Sequence, residues 1–510
     1  MAKGKLFGAV VIGEQNVDLS IVDLRHLQVI ERANARIALG NHLIAAGTIA
    51  NASVEALIQA LRGFQQLMQD YGVADMRVVA SHTVTEATNM SYIRDQIYIR
   101  TGMIVHFMTI NEELLLQYEG VALFFAPFQQ LIQENTLLLH IGATTIDLLI
   151  FQKGALVLTR ELPLGPLQVL QRLSGLAHQV AAYDQVLSDY LRSKLLDVWR
   201  LLPIEKFDQV ILSGTITALF APLLASDKQG KALSHAEFDQ RFATLMTLSE
   251  QELATRLKLV EIEAAAVEPT LLLLDQIFDR LAVKQIWLTN VKMVDGYVAY
   301  LSQEQQLYPT SWQFDDAILT SAQQIARRYQ VDEGHQQQVL MFAGQLFDRL
   351  KKIHGLTKSD RLLLQLAAIL QDTGLFIDAN HHALHSEYII QESAVLGLTK
   401  TQQQIVAAVA RYHSASSPSL DLSQVERLHL TDRLKVAKLA AILRLADALD
   451  DSHQNKISKI SLRLQPEQVV ITATTNQDLT LEQWTFQQKA DFFQKVYGLK
   501  PILRRKKVQL

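Results

Sequence analysis

One short phrase occurs twice in this chain, about a quarter of its length apart. Residues 12–19 read Ile-Gly-Glu-Gln-Asn-Val-Asp-Leu, and residues 141–148 read Ile-Gly-Ala-Thr-Thr-Ile-Asp-Leu. Each copy lies between apolar runs, 6–11 and 19–22 for the first, 137–139 and 148–151 for the second. A Gly-led polar interruption between apolar runs predicts strand, tight turn, strand. Glycine there permits a positive φ and lets backbone N–H groups approach an anion. A hairpin used twice predicts two related lobes facing each other, with a phosphate-like ligand between their tips.

The pattern around each copy fits that prediction. Residues 6–11, 17–24 and 27–35 read as three successive strands. They are followed by a helix capped at Ser53, with Val54, Leu57, Ile58, Leu61, Phe64, Leu67 and Met68 on a 3.6-residue period. Strands at 76–80 and 104–108 and a helix over 111–121 complete the first half. The second copy repeats three strands, then a helix carrying Leu187, Leu191 and Leu195, then a strand at 209–212. The fold class expected is duplicated α/β. After residue 295 the strands stop, and helical periods run from 312 to 451. Alternation returns at 457–464 and 469–473 as a hairpin, and a last helix covers 481–496. The basic residues Arg504, Arg505, Lys506 and Lys507 read as a solvated end.

Charge and cysteine usage narrow the function. A net charge of −4 gives no global pull toward nucleic acid or acidic membranes, so a polyanion must be held by local cations and backbone donors. The chain has no cysteine, which excludes disulfides, thiol nucleophiles and Cys-zinc sites. No apolar stretch reaches about 18 residues, so no transmembrane span is expected. With no secretory signal at its start, the expected address is the cytoplasm.

A series of landmarks now falls in order. They are the turn at Gly13, the segment Ala80-Ser81-His82-Thr83-Val84-Thr85-Glu86-Ala87, Ile110-Asn111-Glu112-Glu113, and the turn at Gly142. Then come Leu162-Pro163-Leu164-Gly165, Ser213-Gly214-Thr215, His354-Gly355-Leu356, His381-His382-x-x-His385-Ser386 and Arg411-Tyr412-His413. In this order the chain resembles the exopolyphosphatase and guanosine-pentaphosphate phosphohydrolase (Ppx/GppA) family over nearly its whole length. The resemblance implies an actin-like (hexokinase-like) pair of α/β domains at 1–123 and 124–305. It further implies an all-α HD-like domain at 306–453 and a small α+β domain at 454–510. It implies hydrolysis of terminal phosphoanhydrides in inorganic polyphosphate or guanosine pentaphosphate, usually with Mg²⁺. It also implies dimerisation, as a homodimer or with a paralogue.

Phosphoryl transfer needs a carboxylate to orient water, oxygen ligands for Mg²⁺, and donors for the phosphate oxygens. Glu113 falls where the resemblance places the water-activating glutamate. The phosphate-facing turns are Gly13-Glu14-Gln15-Asn16, Gly142-Ala143-Thr144-Thr145 and Ser213-Gly214-Thr215. Other family features are replaced. The first turn is usually Asp, then Ile or Leu, then Gly-Ser-Asn-Ser, and its Asp has become Val11. The second is usually Asp-Ile-Gly-Gly-Gly-Ser-Thr-Glu, and its Asp and Glu have become His140 and Asp147, with two glycines now Ala143 and Thr144. The phosphate-binding arginine aligns with Thr85, which lacks its fixed cationic fork. His140 and Asp147 are the remaining candidates for the metal, and His140, if protonated, for an anion. Asp18 is the candidate substitute carboxylate, since it matches Asp147 in the repeat and could pair with it across the cleft.

In the helical region, a metal-dependent HD site needs His, His-Asp and a distant Asp. The chain offers His335, then Gln371-Asp372, then Asp447, with glutamine where the second His should stand. His381, His382, His385 and His413 lie nearby in the pattern. Three functions are expected from these residues. The chain is a working phosphoanhydride hydrolase using Glu113, Asp147 and Asp18. Alternatively, it is a weak or inactive relative that binds polyphosphate or guanosine penta- or tetraphosphate and regulates a partner. In the third, only the helical domain works, as a metal or nucleotide site. No nucleic-acid or membrane partner is expected.

Overall fold

A computed structural model describes residues 6–176, 179–200, 206–214, 232–257, 264–305, 314–414 and 427–507, with residues 202, 204, 259 and 307. Thr215 lies outside the described residues. The chain divides into two compact units, Met1–Phe314 and Asp315–Leu510.

Two sheets organise the first unit. One contains β1 (Leu6–Ile12), β2 (Asn16–Asp23), β3 (Gln28–Arg36), β4 (Asp75–Ala80) and β5 (Val105–Phe107), in the order β3-β2-β1-β4-β5. The other contains β6 (Thr136–Ile141), β7 (Ile146–Gln152), β8 (Ala155–Leu162), β9 (Gln209–Gly214), β10 (Ala232–Ser234) and β11 (Gln285–Leu288), in the order β10-β11-β9-β6-β7-β8. In both sheets the first three strands run antiparallel and the later two join the first in parallel. Read from β8, the second sheet repeats the first strand for strand and adds β10 at its edge. The repeated phrase in the sequence is thus the first hairpin of a repeated sheet.

β1 is buried on both faces, as a strand covered on each side must be. Val10 and Ile12 join a cluster with Leu57, Ile58 and Leu61 of the helix Asn51–Asp70. Burying each such side chain stabilises by about 1.5–3 kcal/mol. Ala9 and Val11 point to the opposite cluster, with Val294 and Val298 of the helix Met293–Glu304. Ser53 does not cap the first of these helices, which already begins at Asn51 after an extended Ala50. Capping by a hydroxyl appears instead at Thr109, which closes a capping box with Glu112 at the start of the helix Ile110–Phe124. That helix packs on Met293–Glu304 with Gly120 and Gly296 face to face: a Cβ on Gly296 would lie 1.9 Å from the Leu116 carbonyl oxygen.

The second unit holds the helices Glu333–Arg349, Lys358–Leu370, His382–Glu392, Lys400–Arg411 and Leu430–Ala448. β12 (Lys459–Leu464) and β13 (Gln468–Thr474) form the expected antiparallel hairpin. The helix Thr480–Tyr497 then leads into β14 (Lys500–Lys506), parallel to β13. The basic residues Arg504, Arg505, Lys506 and Lys507 are exposed, as a solvated end predicts, while the backbone of 504–506 pairs with Thr472, Ala473 and Thr474. No helix among the described residues is long and apolar enough to cross a membrane.

Candidate active site

The two hairpin turns are closed and braced in the same way. Gly13 donates its N–H to the Asn16 carbonyl at 2.8 Å, and Gly142 donates to Thr145 at 2.9 Å. Neither glycine has a positive φ. Their missing Cβ matters because one would crowd that same carbonyl, at 3.2 and 3.3 Å. The first turn's carbonyls are taken by the N–H groups of Ile37 (to Gln15, 3.0 Å) and Gly40 (to Glu14, 2.9 Å). Those of the second turn go to Gly165 (to Thr144, 2.9 Å) and Leu167 (to Ala143, 3.0 Å). This explains the Leu-Pro-Leu-Gly segment: a Cβ on Gly165 would fall 2.2 Å from the Thr144 carbonyl carbon.

The tips touch. Thr144 Oγ1 donates to Glu14 Oε1 at 2.9 Å and lies 3.2 Å from Thr83 Oγ1. Burial raises the pKa of Glu14 against the lowering effect of Thr83 and Thr144. Both turns line a cleft of about 560 Å³ together with Val11, Asp18, Ser81, Glu113 and His140. Arg36 and Lys292 are the cations on its wall.

Glu113, just inside its helix, is buried and held by His82, whose backbone N–H and Nδ1 both donate to Oε2, at 3.0 and 2.8 Å. No described protein group donates to Oε1. Burial favours protonating Glu113, but the bonds and charge of His82 outweigh it and set its pKa below the usual carboxylate value. For His82 burial opposes the charged form, yet the Glu113 carboxylate beside it pushes the pKa up to about 9. The pair is therefore an imidazolium and a carboxylate at neutral pH. A raised pKa contributes stability that is fully present below the unfolded value of about 6.5 and lost as pH rises through 9. Wild-type stability, by urea unfolding, should fall across pH 6.5–9 by up to about 3 kcal/mol relative to His82→Gln.

The other candidates are placed as follows. Burial depresses His140 to about 4, so this ring is neutral and offers an anion no charge; its Nδ1 lies 3.0 Å from Ser213 Oγ. Asp147 is buried, its Oδ1 has no hydrogen-bond partner, and burial with the nearby Glu161 and Glu113 charges raises its pKa well above the usual range. Asp18 sits opposite Val11 in the ladder, as Asp147 sits opposite His140. The equivalence stops at position, because Asp18 accepts from Asn34 Nδ2 at 2.9 Å and Lys292 Nζ at 3.1 Å. Asp147 instead lies near the Glu161 and Glu113 charges, with Gln117 beside it favouring the charged form, so the two carboxylates have different surroundings. Thr85 Oγ1 turns back to the Ser81 carbonyl, at 3.0 Å. Gly214 has φ +92°, and a Cβ there would strike the Ile141 carbonyl oxygen. Sequence reasoning missed His82 and Glu161. Glu161 Oε1 lies 3.9 Å from His82 Nε2, and burial raises its pKa to about 7.

In the second unit His335, Gln371, Asp372 and Asp447 do meet. His335 Nδ1 lies 3.0 Å from Asp450 Oδ2, and its Nε2 lies 3.1 Å from Asp447 Oδ1 and 3.6 Å from Asp372 Oδ2. Against the effect of burial, these carboxylates push His335 up to about 10, so it stands as a cation. Gln371 Nε2 donates to Asp447 Oδ1 at 2.9 Å, and Lys489 Nζ donates to Asp447 Oδ2. Two side-chain cations thus neutralise the carboxylates that an HD-type metal ion would use.

Comparison with known proteins agrees with this architecture. The guanosine-5'-triphosphate,3'-diphosphate pyrophosphatase of Aeromonas hydrophila is 24% identical over 464 residues, 88% of each chain. That of Aeromonas salmonicida is 23% identical over 491 residues, covering 92% of this chain and 93% of its own. The crystal structure of an exopolyphosphatase from Cytophaga hutchinsonii superposes with TM-score 0.51 at 16% identity, over 60% of this chain and all of that one. An exopolyphosphatase-like protein gives TM-score 0.52 at 15% identity, over 59% of this chain and 98% of its own. These neighbours share the actin-like α/β fold. Residues 319–494 match domain III of the Ppx/GppA phosphatases and residues 19–302 match the Ppx/GppA phosphatase family model, so the chain belongs to the Ppx/GppA phosphatase family.

Proposed function

We propose that the cleft between the hairpin tips takes a phosphoanhydride, inorganic polyphosphate or guanosine pentaphosphate, and that the chain is a slow hydrolase of it. The observation that carries this reading is Glu113, an ionised carboxylate anchored by His82, with one oxygen to which no described protein group donates. The names of the relatives, a pyrophosphatase and an exopolyphosphatase, support the same reaction class. Lys292 and Arg36 supply the local cations that an acidic chain needs for a polyanion. Water oriented by Glu113 attacks the terminal phosphorus and passes its proton to the carboxylate. The bridging P–O bond breaks, and its electrons leave on the shortened chain.

The Mg²⁺ that the resemblance implies does not fit these residues. Magnesium wants oxygen ligands in near-octahedral array. Val11 offers none, His140 offers nitrogen, and Asp147 reaches one methylene less far than the glutamate it replaces. No catalytic step is therefore routed through a metal here. The same three residues favour a second reading, a protein that binds the ligand with little turnover and regulates a partner or paralogue.

The test is phosphate release from long-chain polyphosphate and from guanosine pentaphosphate, run beside Glu113→Gln, with binding measured on both proteins. Slow release, reduced by about 10²-fold or more in the variant while binding persists, is expected. Affinity for long chains should fall with salt as counterions are released. Release no greater than the variant's background would sink hydrolysis and leave the binding reading. Absence of binding as well would sink the cleft as a phosphoanhydride site.

A further inference from the structure

We propose that Asp372, His382 and His413 form a binding site for one transition-metal ion of the Zn²⁺ class. The site is separate from the front cleft and from the His335–Asp447 cluster, sharing only Asp372 with the latter. Asp372 follows the helix Lys358–Leu370, His382 opens His382–Glu392, and His413 follows Lys400–Arg411. Ligand atoms of all three lie within 4.8 Å of one another.

The tautomers carry the argument. His382 Nδ1 lies 2.9 Å from the Ala379 carbonyl oxygen, and His413 Nδ1 lies 2.5 Å from that of Ala410. A carbonyl oxygen only accepts, so each Nδ1 is the protonated nitrogen, and a neutral imidazole has one N–H. When both rings are neutral, both Nε2 atoms present bare lone pairs, and these nitrogens lie 3.2 Å apart. Two lone pairs at that distance repel unless a cation lies between them. Two imidazole nitrogens bound at 2.0–2.1 Å to one tetrahedral zinc are roughly 3.3 Å apart. Asp372 Oδ1, 3.6 Å from His413 Nε2, is placed to be the third ligand.

The surroundings fit the same chemistry. An Nδ1–H given to a backbone carbonyl is the outer-shell bond that orients a metal-binding histidine and fixes its tautomer. Two nitrogens and one oxygen favour zinc over magnesium or calcium. Three protein ligands leave a fourth position, which a water or a phosphate oxygen can take. His413 is buried and His382 half-buried, so the site has a floor and an open side.

The experiment uses the full chain with any affinity tag removed, stripped with chelator and titrated with Zn²⁺ and, separately, Co²⁺. Wild type should bind one equivalent, give the strong visible absorption of four-coordinate cobalt, and gain thermal stability with the metal. His382→Ala and Asp372→Asn should each weaken binding by about 100-fold or more, since even outer-shell changes cost 10–100-fold. His382 is half-buried, so its alanine variant should stay folded, which circular dichroism checks. His381→Ala, an exposed neighbour bonded to Asp378, should bind like wild type. No binding by wild type, as an imidazolium–imidazole pair predicts, or equal binding by folded His382→Ala, would overturn the proposal.

Discussion

Gly296→Ala should destabilise the first unit by about 3 kcal/mol or more, at the upper end of overpacking penalties. The added Cβ would lie 1.9 Å from the oxygen and 2.6 Å from the carbon of the Leu116 carbonyl. Those are backbone atoms of the helix Ile110–Phe124, so no side chain can swing away, and the two helices must separate. Gly120 across the contact has the same restriction, with its own Cβ position 2.9 Å from Gly296 Cα. The helix that would move is the one that presents Glu113. Gly296→Ala should therefore also displace Glu113 from His82 and lower any Glu113-dependent turnover in the folded fraction. Gly63→Ala is the control, since it lies exposed in the helix Asn51–Asp70 with nothing within 4 Å of its Cβ position. Relative to glycine, alanine should stabilise that helix by about 0.5–1 kcal/mol. Urea unfolding of both variants reads the difference, and equal midpoints would show that the helices can part without cost.

The front half was legible in the sequence because its signals are local. Alternating apolar residues and a Gly-led turn specify a hairpin within a dozen positions, and the repeat at Ile141 announced the second sheet. Asp18 and Asp147 were rightly placed at equivalent positions of the two hairpins. What each carboxylate meets was not legible, because Lys292, from far along the chain, bonds Asp18, while Asp147 lies near the Glu161 and Glu113 charges. His82 was hidden for the same reason: its bond to Glu113 is made by the fold and by no local pattern. The charge state of His140 depends on burial, which a strand-end position does not reveal. Arg504 to Lys506 are solvated, as basic runs usually are. Their strand exists only through pairing with β13, on which local sequence is silent.

The helical unit shows the converse, a metal-site pattern whose spatial arrangement survives while its chemistry changes. His335, Asp372 and Asp447 meet as the pattern implied, but Lys489 of the helix Thr480–Tyr497 donates to Asp447, a place a sequence search of the HD pattern does not visit. Burial raises the pKa of Asp447, yet the Lys489 charge and the His335 bond hold it well below the usual range, so it is ionised. Lys489→Met keeps the aliphatic bulk and removes the ammonium. Three carboxylates, Asp372, Asp447 and Asp450, would then face His335, with the Arg444 guanidinium acting on Asp447 from further off. Breaking one side of a buried ion pair typically costs 3–5 kcal/mol, because the remaining charge stays desolvated. His335 and Gln371 still contact Asp447, so the expected loss is about 3 kcal/mol, the lower end of that range. Adding Asp447→Asn should recover much of it, since the orphaned charge is then gone; a double-mutant cycle by thermal or urea unfolding measures the coupling directly. Coupling near zero would mean that water reaches Asp447 in the variant and that Lys489 is a packing residue. Strong coupling would mean that the Lys489 ammonium balances the Asp447 charge within this buried cluster.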